Sequence, residues 1–82
     1  MEQIIKDYIV KEFMFDNPNA TVEDDQPLIQ EGVIDSLGIF TLIAFIEQHF
    51  GVKVQPEDVV LENFESVNTI KKLVAAKMAE KA

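Results

Sequence analysis

From Ser36 to Phe50 the apolar side chains recur at the spacing of one helical face, and no other stretch constrains this chain as tightly. At about 100° per residue, Ile39, Leu42, Ile43, Ile46 and Phe50 fall within a single stripe. Leu37, Thr41, Ala44, Phe45 and Gln48 take the opposite face. Asp35 and Ser36 precede the stripe as residues that cap helices, and Gly51 comes after it as a C-terminal stop. The pattern predicts an amphipathic helix over residues 36–50.

Residues 2–15 predict a second such helix. Ile5, Tyr8, Ile9 and Phe13 lie near i, i+3, i+4, i+8 spacing, with Lys6, Asp7, Lys11 and Glu12 between them. Asp16-Asn17-Pro18-Asn19 ends it, because these residues favour turns and Asn17 precedes a proline. Residues 16–35 then read as a long loop, acidic at Glu23-Asp24-Asp25, whose Leu28, Ile29, Val33 and Ile34 fold back onto the core. A loop this long in a small domain is more often functional or packed than idle. Val52-Lys53-Val54 reads as an extended connector. Pro56-Glu57-Asp58 has the features of a first helical turn, and Val59, Val60 and Leu61 continue it as a short helix ending near Asn63-Phe64. Ser66 caps a last helix containing Val67, Ile70, Leu73, Val74 and Met78. Lys71, Lys72, Lys77 and Lys81 weight its C-terminal half with positive charge, as the helix dipole favours. No repeat or second domain is visible. The expected fold is all-α: a four-helix bundle of three long helices and one short third helix, with a long loop between helices 1 and 2, forming a single domain over residues 1–82.

The composition fits that reading. Apolar residues make up 48% and charged residues 27% of 82 residues, as in a soluble globular domain. No apolar run reaches the roughly 18 residues that a membrane span needs. The N-terminus lacks the basic start and cleavage site of a secretory signal. There is no cysteine, hence no disulfide framework and no thiolate metal site, and a cytoplasmic location is expected. A formal charge of −8 repels phosphate backbones and argues against nucleic acid. It suits a monomer whose partners carry basic patches, since complementary fields speed encounter.

Catalytic equipment is sparse. The one histidine, His49, lies near the end of the 36–50 helix beside Phe50 and reads as a solvated or capping residue. Nucleophilic catalysis would need a base beside Ser36 and a group to orient it, and the chain offers neither. Carboxylate pairs would need a cleft that so small a bundle has little room for. The acidic stretch from Asp16 is not a calcium loop: it puts Pro18, Thr21 and Pro27 where an EF-hand needs an oxygen ligand, glycine and glutamate.

What remains is Asp35-Ser36. The plain account is that both residues start a helix. Their surroundings suggest more. Gly32 permits a tight approach, Val33 and Ile34 anchor the loop, and Leu37 points away from the core stripe, which suggests a docking surface. The N-terminus of a helix also stabilises an anion, so a phosphodiester on Ser36 would be well placed.

At these residues the chain resembles the acyl carrier protein family, including peptidyl and aminoacyl carrier domains. The resemblance runs through Asp35-Ser36-Leu37 at the start of the second helix, Phe50-Gly51-Val52 at its end, Pro56-Glu57-Asp58, and Phe64 before Ser66-Val67, and covers essentially the whole chain. It implies that a phosphopantetheinyl transferase attaches 4′-phosphopantetheine from coenzyme A to the Ser36 hydroxyl. The cofactor's thiol then carries a substrate as a thioester, and Ser36 is an attachment point rather than a catalyst. Further implied partners are an acyl- or aminoacyl-adenylating ligase and a downstream synthase, transferase or thioesterase. Asp35, Leu37, Phe40, Thr41, Ala44, Phe45, Gln48 and Val59 are the candidate recognition residues. Fatty-acid carriers display acidic residues along the exposed face of this helix. Here Gly38, Thr41, Ala44, Phe45 and Gln48 are the expected exposed positions, leaving a nearly neutral, partly apolar face. The chain therefore looks more like a discrete carrier of a specialised pathway, the D-alanyl type included, than a housekeeping fatty-acid carrier. Met1 and the lack of a linker-like tail suggest a stand-alone protein. The other class of reading is an unmodified helical interaction module that binds through Leu37, Phe40, Ala44 and Phe45.

Overall fold

A computed structural model describes residues 1–17 and 19–81, the Lys81 side chain excepted. Pro18, expected in the turn closing the first helix, and Ala82 lie outside the described residues, as does the Lys81 charge. Three α-helices carry the fold: α1 (Glu2–Phe13), α2 (Ser36–Phe50) and α3 (Val67–Lys81). No strand occurs among the described residues, in keeping with an all-α class.

The helix ends reflect local chemistry. Asp35 is extended (φ −104°, ψ −176°) and its Oδ1 accepts the Gly38 N–H at 2.7 Å, which starts α2. Gly51 ends it in the left-handed region at φ 67°, donating its N–H to the Glu47 carbonyl at 3.0 Å. At the start of α3, the Ser66 N–H donates to Thr69 Oγ1 at 3.1 Å and the Thr69 N–H donates to Ser66 Oγ at 3.3 Å. The first helix stops at Phe13, two residues before the expected end. Met14 has already left helical geometry at φ −129°.

The short third helix is replaced by two 3₁₀ turns, Pro56–Asp58 and Leu61–Asn63. Two hydrogen bonds close the first: the Gln55 N–H donates to Asp58 Oδ2 at 2.9 Å, and the Asp58 N–H to the Gln55 backbone carbonyl at 2.9 Å. Val59 (φ −84°, ψ 72°) then makes a tight turn, with the Val60 N–H reaching the Asp58 carbonyl at 2.9 Å, and Val60 is extended (ψ 149°), which breaks any continuous helix. Asn63 Nδ2 donates to the Asp58 carbonyl at 2.7 Å and ties the two turns together.

The core gathers Ile5 and Ile9 of α1, Leu42 and Ile46 of α2, and Ile70 and Val74 of α3, all fully buried. The long connection between α1 and α2 is packed. Leu28 and Ile34 are fully buried, Ile29 and Val33 half-buried, and Val22 joins them. It is stitched to the start of α3, where the Leu28 N–H reaches the Glu65 carbonyl at 2.8 Å and the Asn68 N–H reaches the Asp24 carbonyl at 3.0 Å. Gly32 has φ 76°, and a Cβ there would meet no atom within 4 Å. Its role is a left-handed turn into α2, not the close approach expected of it.

Candidate functional site

The first turn of α2 is built from the loop inward. The Leu28 carbonyl accepts the Val33 and Ile34 N–H groups at 2.9 and 3.3 Å, so the chain reverses just before Asp35. Ile34 is buried and fixes the turn to the core, while Asp35, Ser36 and Leu37 stand exposed. Asp35 accepts the otherwise unpaired Gly38 N–H on its carboxylate at 2.7 Å, and its carbonyl accepts the Ile39 N–H at 3.0 Å as the first intrahelical bond. The N–H groups of Ser36 and Leu37 precede the first intrahelical bond and point out of the helix end. They are the donors this end of the helix can offer an anion, since no lysine or arginine occurs between Glu12 and Val52.

The chain has two serines, Ser36 and Ser66. Ser66 is only 8% exposed, and its Oγ is engaged by Thr69. Ser36 presents its side chain to solvent.

Most of the predicted recognition residues lie on the open surface of α2. Leu37 is 77% and Phe40 61% exposed, a large apolar area for so small a domain. Thr41, Ala44 and Gln48 are exposed as well. Phe40 lies one turn beyond Ser36, hence on the same side of the helix. Phe45 is not free: it is half-buried and stacks on Tyr8 at 3.9 Å between ring centroids. His49 is exposed, as expected, and stacks on Phe45 at 5.2 Å. Gly38, expected on the exposed face, is buried beneath Phe13 of α1. Val59 sits half-buried between the two 3₁₀ turns, packed against the core. The sequence pattern does not reveal Tyr8 and Phe13 as neighbours of this helix, because they approach from α1 and leave no mark in residues 36–50. Nor does it reveal the exposure of Val60 and Leu61, which arises from the 3₁₀ geometry.

A family model described as the phosphopantetheine attachment site matches residues 3–76. The chain belongs to that family. Its cofactor is 4′-phosphopantetheine, held covalently, and the resemblance to acyl carrier proteins drawn from the residues agrees with it. A comparison with curated proteins gives no match. Carrier domains of this family work with phosphopantetheinyl transferases and synthase partners, and are generally not themselves catalytic. Among the described residues of this carrier, no helix is long and apolar enough to cross a membrane.

Proposed function

We propose that Ser36 is the attachment residue and that residues 1–82 act as one non-catalytic carrier domain, a cytoplasmic monomer. One observation carries the reading: of the chain's two serines, only Ser36 offers an exposed hydroxyl. The residues around it fit the group. The free N–H groups of Ser36 and Leu37 suit a phosphodiester, and exposed Leu37 and Phe40 offer apolar surface to the pantetheine arm beyond it. When attached, the group supplies a thiol that carries an acyl or aminoacyl substrate as a thioester. The chain's own part is to hold Ser36 at a helix start, leave its hydroxyl open, and keep the Asp35 carboxylate occupied with Gly38.

The partner-reading surface in this proposal comprises Asp35, Leu37, Phe40, Thr41, Ala44 and Gln48, with the edges of Phe45 and Val59 at its margin. Its near-neutral character supports a specialised pathway, loaded by an acyl- or aminoacyl-adenylating ligase and unloaded by a synthase, transferase or thioesterase. Incubation with a promiscuous phosphopantetheinyl transferase, magnesium and coenzyme A tests the attachment. The intact mass should rise by one phosphopantetheine in the wild type and stay unchanged in folded Ser36→Ala. A Ser36→Ala chain that still gains mass defeats the assignment. A wild-type chain that gains none, beside an active control carrier, leaves the interaction-module reading in its place.

A further inference from the structure

Two residues after Ser36, Gly38 has no room for a side chain. An ideal Cβ there would lie 2.8 Å from Phe13 Cε1, 3.3 Å from Asp35 Oδ1 and 3.4 Å from Ile34 Cγ2. Contacts below 3 Å are essentially forbidden, so the glycine exists at the centre of a closed contact. Asp35 and Ile34 are chain neighbours of Gly38. Phe13 is not: it is the last residue of α1, and its ring comes from outside the turn.

Phe13 is itself held in place. The Tyr8 ring meets it edge-on at 6.3 Å between centroids. Tyr8 donates its hydroxyl to the Thr41 carbonyl at 3.4 Å and stacks on Phe45 at 3.9 Å. Gly38, Thr41 and Phe45 have i, i+3, i+7 spacing and so form one stripe of α2. Two aromatic side chains of α1 therefore grip α2 along that stripe, and the grip ends on the turn that bears Ser36. Removing the Phe13 ring would let water reach the Gly38 N–H and compete with the Asp35 carboxylate for it. The cap and the serine one residue after it would then lose their fixed orientation.

We infer that Phe13 is a positioning residue for modification of Ser36: by covering Gly38 it fixes the Asp35 cap and thus the aim of the Ser36 hydroxyl. This deepens the assignment of Ser36 and rests on it.

The test monitors cofactor attachment by intact mass in Phe13→Ala, Gly38→Ala and the double variant Phe13→Leu/Gly38→Ala. Misaiming a reacting group costs rate rather than binding, so the transferase kcat for Phe13→Ala should fall roughly ten- to a hundredfold with little change in KM. Amide exchange should accelerate at Gly38 while Ile46, deep in the same helix, keeps its protection. Gly38→Ala disturbs the same contact from the other side, because its Cβ collides with Phe13. It should lower kcat, and Phe13→Leu should restore both kcat and any lost melting temperature by vacating the collision. Wild-type kcat in Phe13→Ala overturns the inference, as does a rate loss matched by equal deprotection of Ile46. If Phe13→Ala does not fold, Gly38→Ala decides alone: an unchanged kcat, or a defect that Phe13→Leu fails to relieve, overturns it. Attachment that persists in Ser36→Ala would instead defeat the assignment of Ser36, so the two failures are distinguishable.

Discussion

Asp35 has two separable properties, a hydrogen-bond acceptor and a charge, and replacing it tests each in turn. Its Oδ1 accepts the Gly38 N–H at 2.7 Å in a partly buried setting, which is the side-chain cap of α2. Asp35→Ala leaves that donor without its partner and should cost about 1 kcal/mol, within the 0.5–2 kcal/mol range for such caps. For a domain of this size that corresponds to a fall of about 4–8 °C in Tm. Asp35→Asn keeps an acceptor oxygen in the same place and loses only the favourable charge at the helix N-terminus, about 0.3–1 kcal/mol. The predicted order of stability is therefore wild type, Asn, Ala, measured by thermal unfolding monitored by circular dichroism. Attachment of the cofactor supplies the second axis. If the transferase reads the carboxylate, Asp35→Asn is modified more slowly although its fold is nearly intact. Equal melting temperatures for Asp35→Ala and the wild type would refute the capping argument. Equal losses for Asn and Ala would show that the charge, and not the hydrogen bond, holds the turn.

Phe64 is fully buried, and Phe64→Ala should cost about 3–5 kcal/mol, a large part of what a small domain possesses. A urea midpoint close to that of the wild type would contradict the burial. A hydrogen bond from Lys77 Nζ at 2.6 Å holds the Asp58 carboxyl below its usual range, and Lys6 at 2.7 Å does the same to Asp24. Since the folded pKa lies below the unfolded one, both contribute stability above the ordinary carboxylate range and lose it as pH falls through the lowered value. Asp58→Asn should therefore be less stable than the wild type at neutral pH and indistinguishable in strong acid; a gap that persists in strong acid counts against the pair. Ala44 is exposed on α2, so Ala44→Glu should leave Tm unchanged while weakening loading by the cognate ligase by about 1–2 kcal/mol. An unchanged loading rate removes that face from the docking surface.

Much of this could be read from the chain because the relevant physics is local. The bounds of α2 are set by Asp35, Gly51 and the apolar period between them, and all three can be seen without a structure. The exposure of Ser36 and Leu37 comes from the same wheel. The features that could not be read depend on partners distant in sequence. Gly38 looks solvent-facing on the wheel of its own helix, and Phe13 from α1 closes over it together with Ile34 and Asp35. Phe45 looks exposed until Tyr8 stacks on it. The 3₁₀ turns fail the helix reading for a subtler reason. Pro56-Glu57-Asp58 is a sound helix start, but the Gln55–Asp58 bonds close it after one turn, and Val59 and Val60 leave helical geometry instead of propagating it. Nor does spacing alone reveal that Lys77 reaches back from α3 to anchor this segment through Asp58.

The proposed function stands or falls on one residue, Ser36, carrying the cofactor. The most direct measurement is fragmentation mass spectrometry of the fully converted chain, resolving which residue bears the phosphodiester. The expected result is a single modification, wholly on Ser36. A modification on Ser66, on Thr41 or on any other hydroxyl would contradict it, because Ser66 is buried and the exposed serine at the start of α2 would then have no part in attachment.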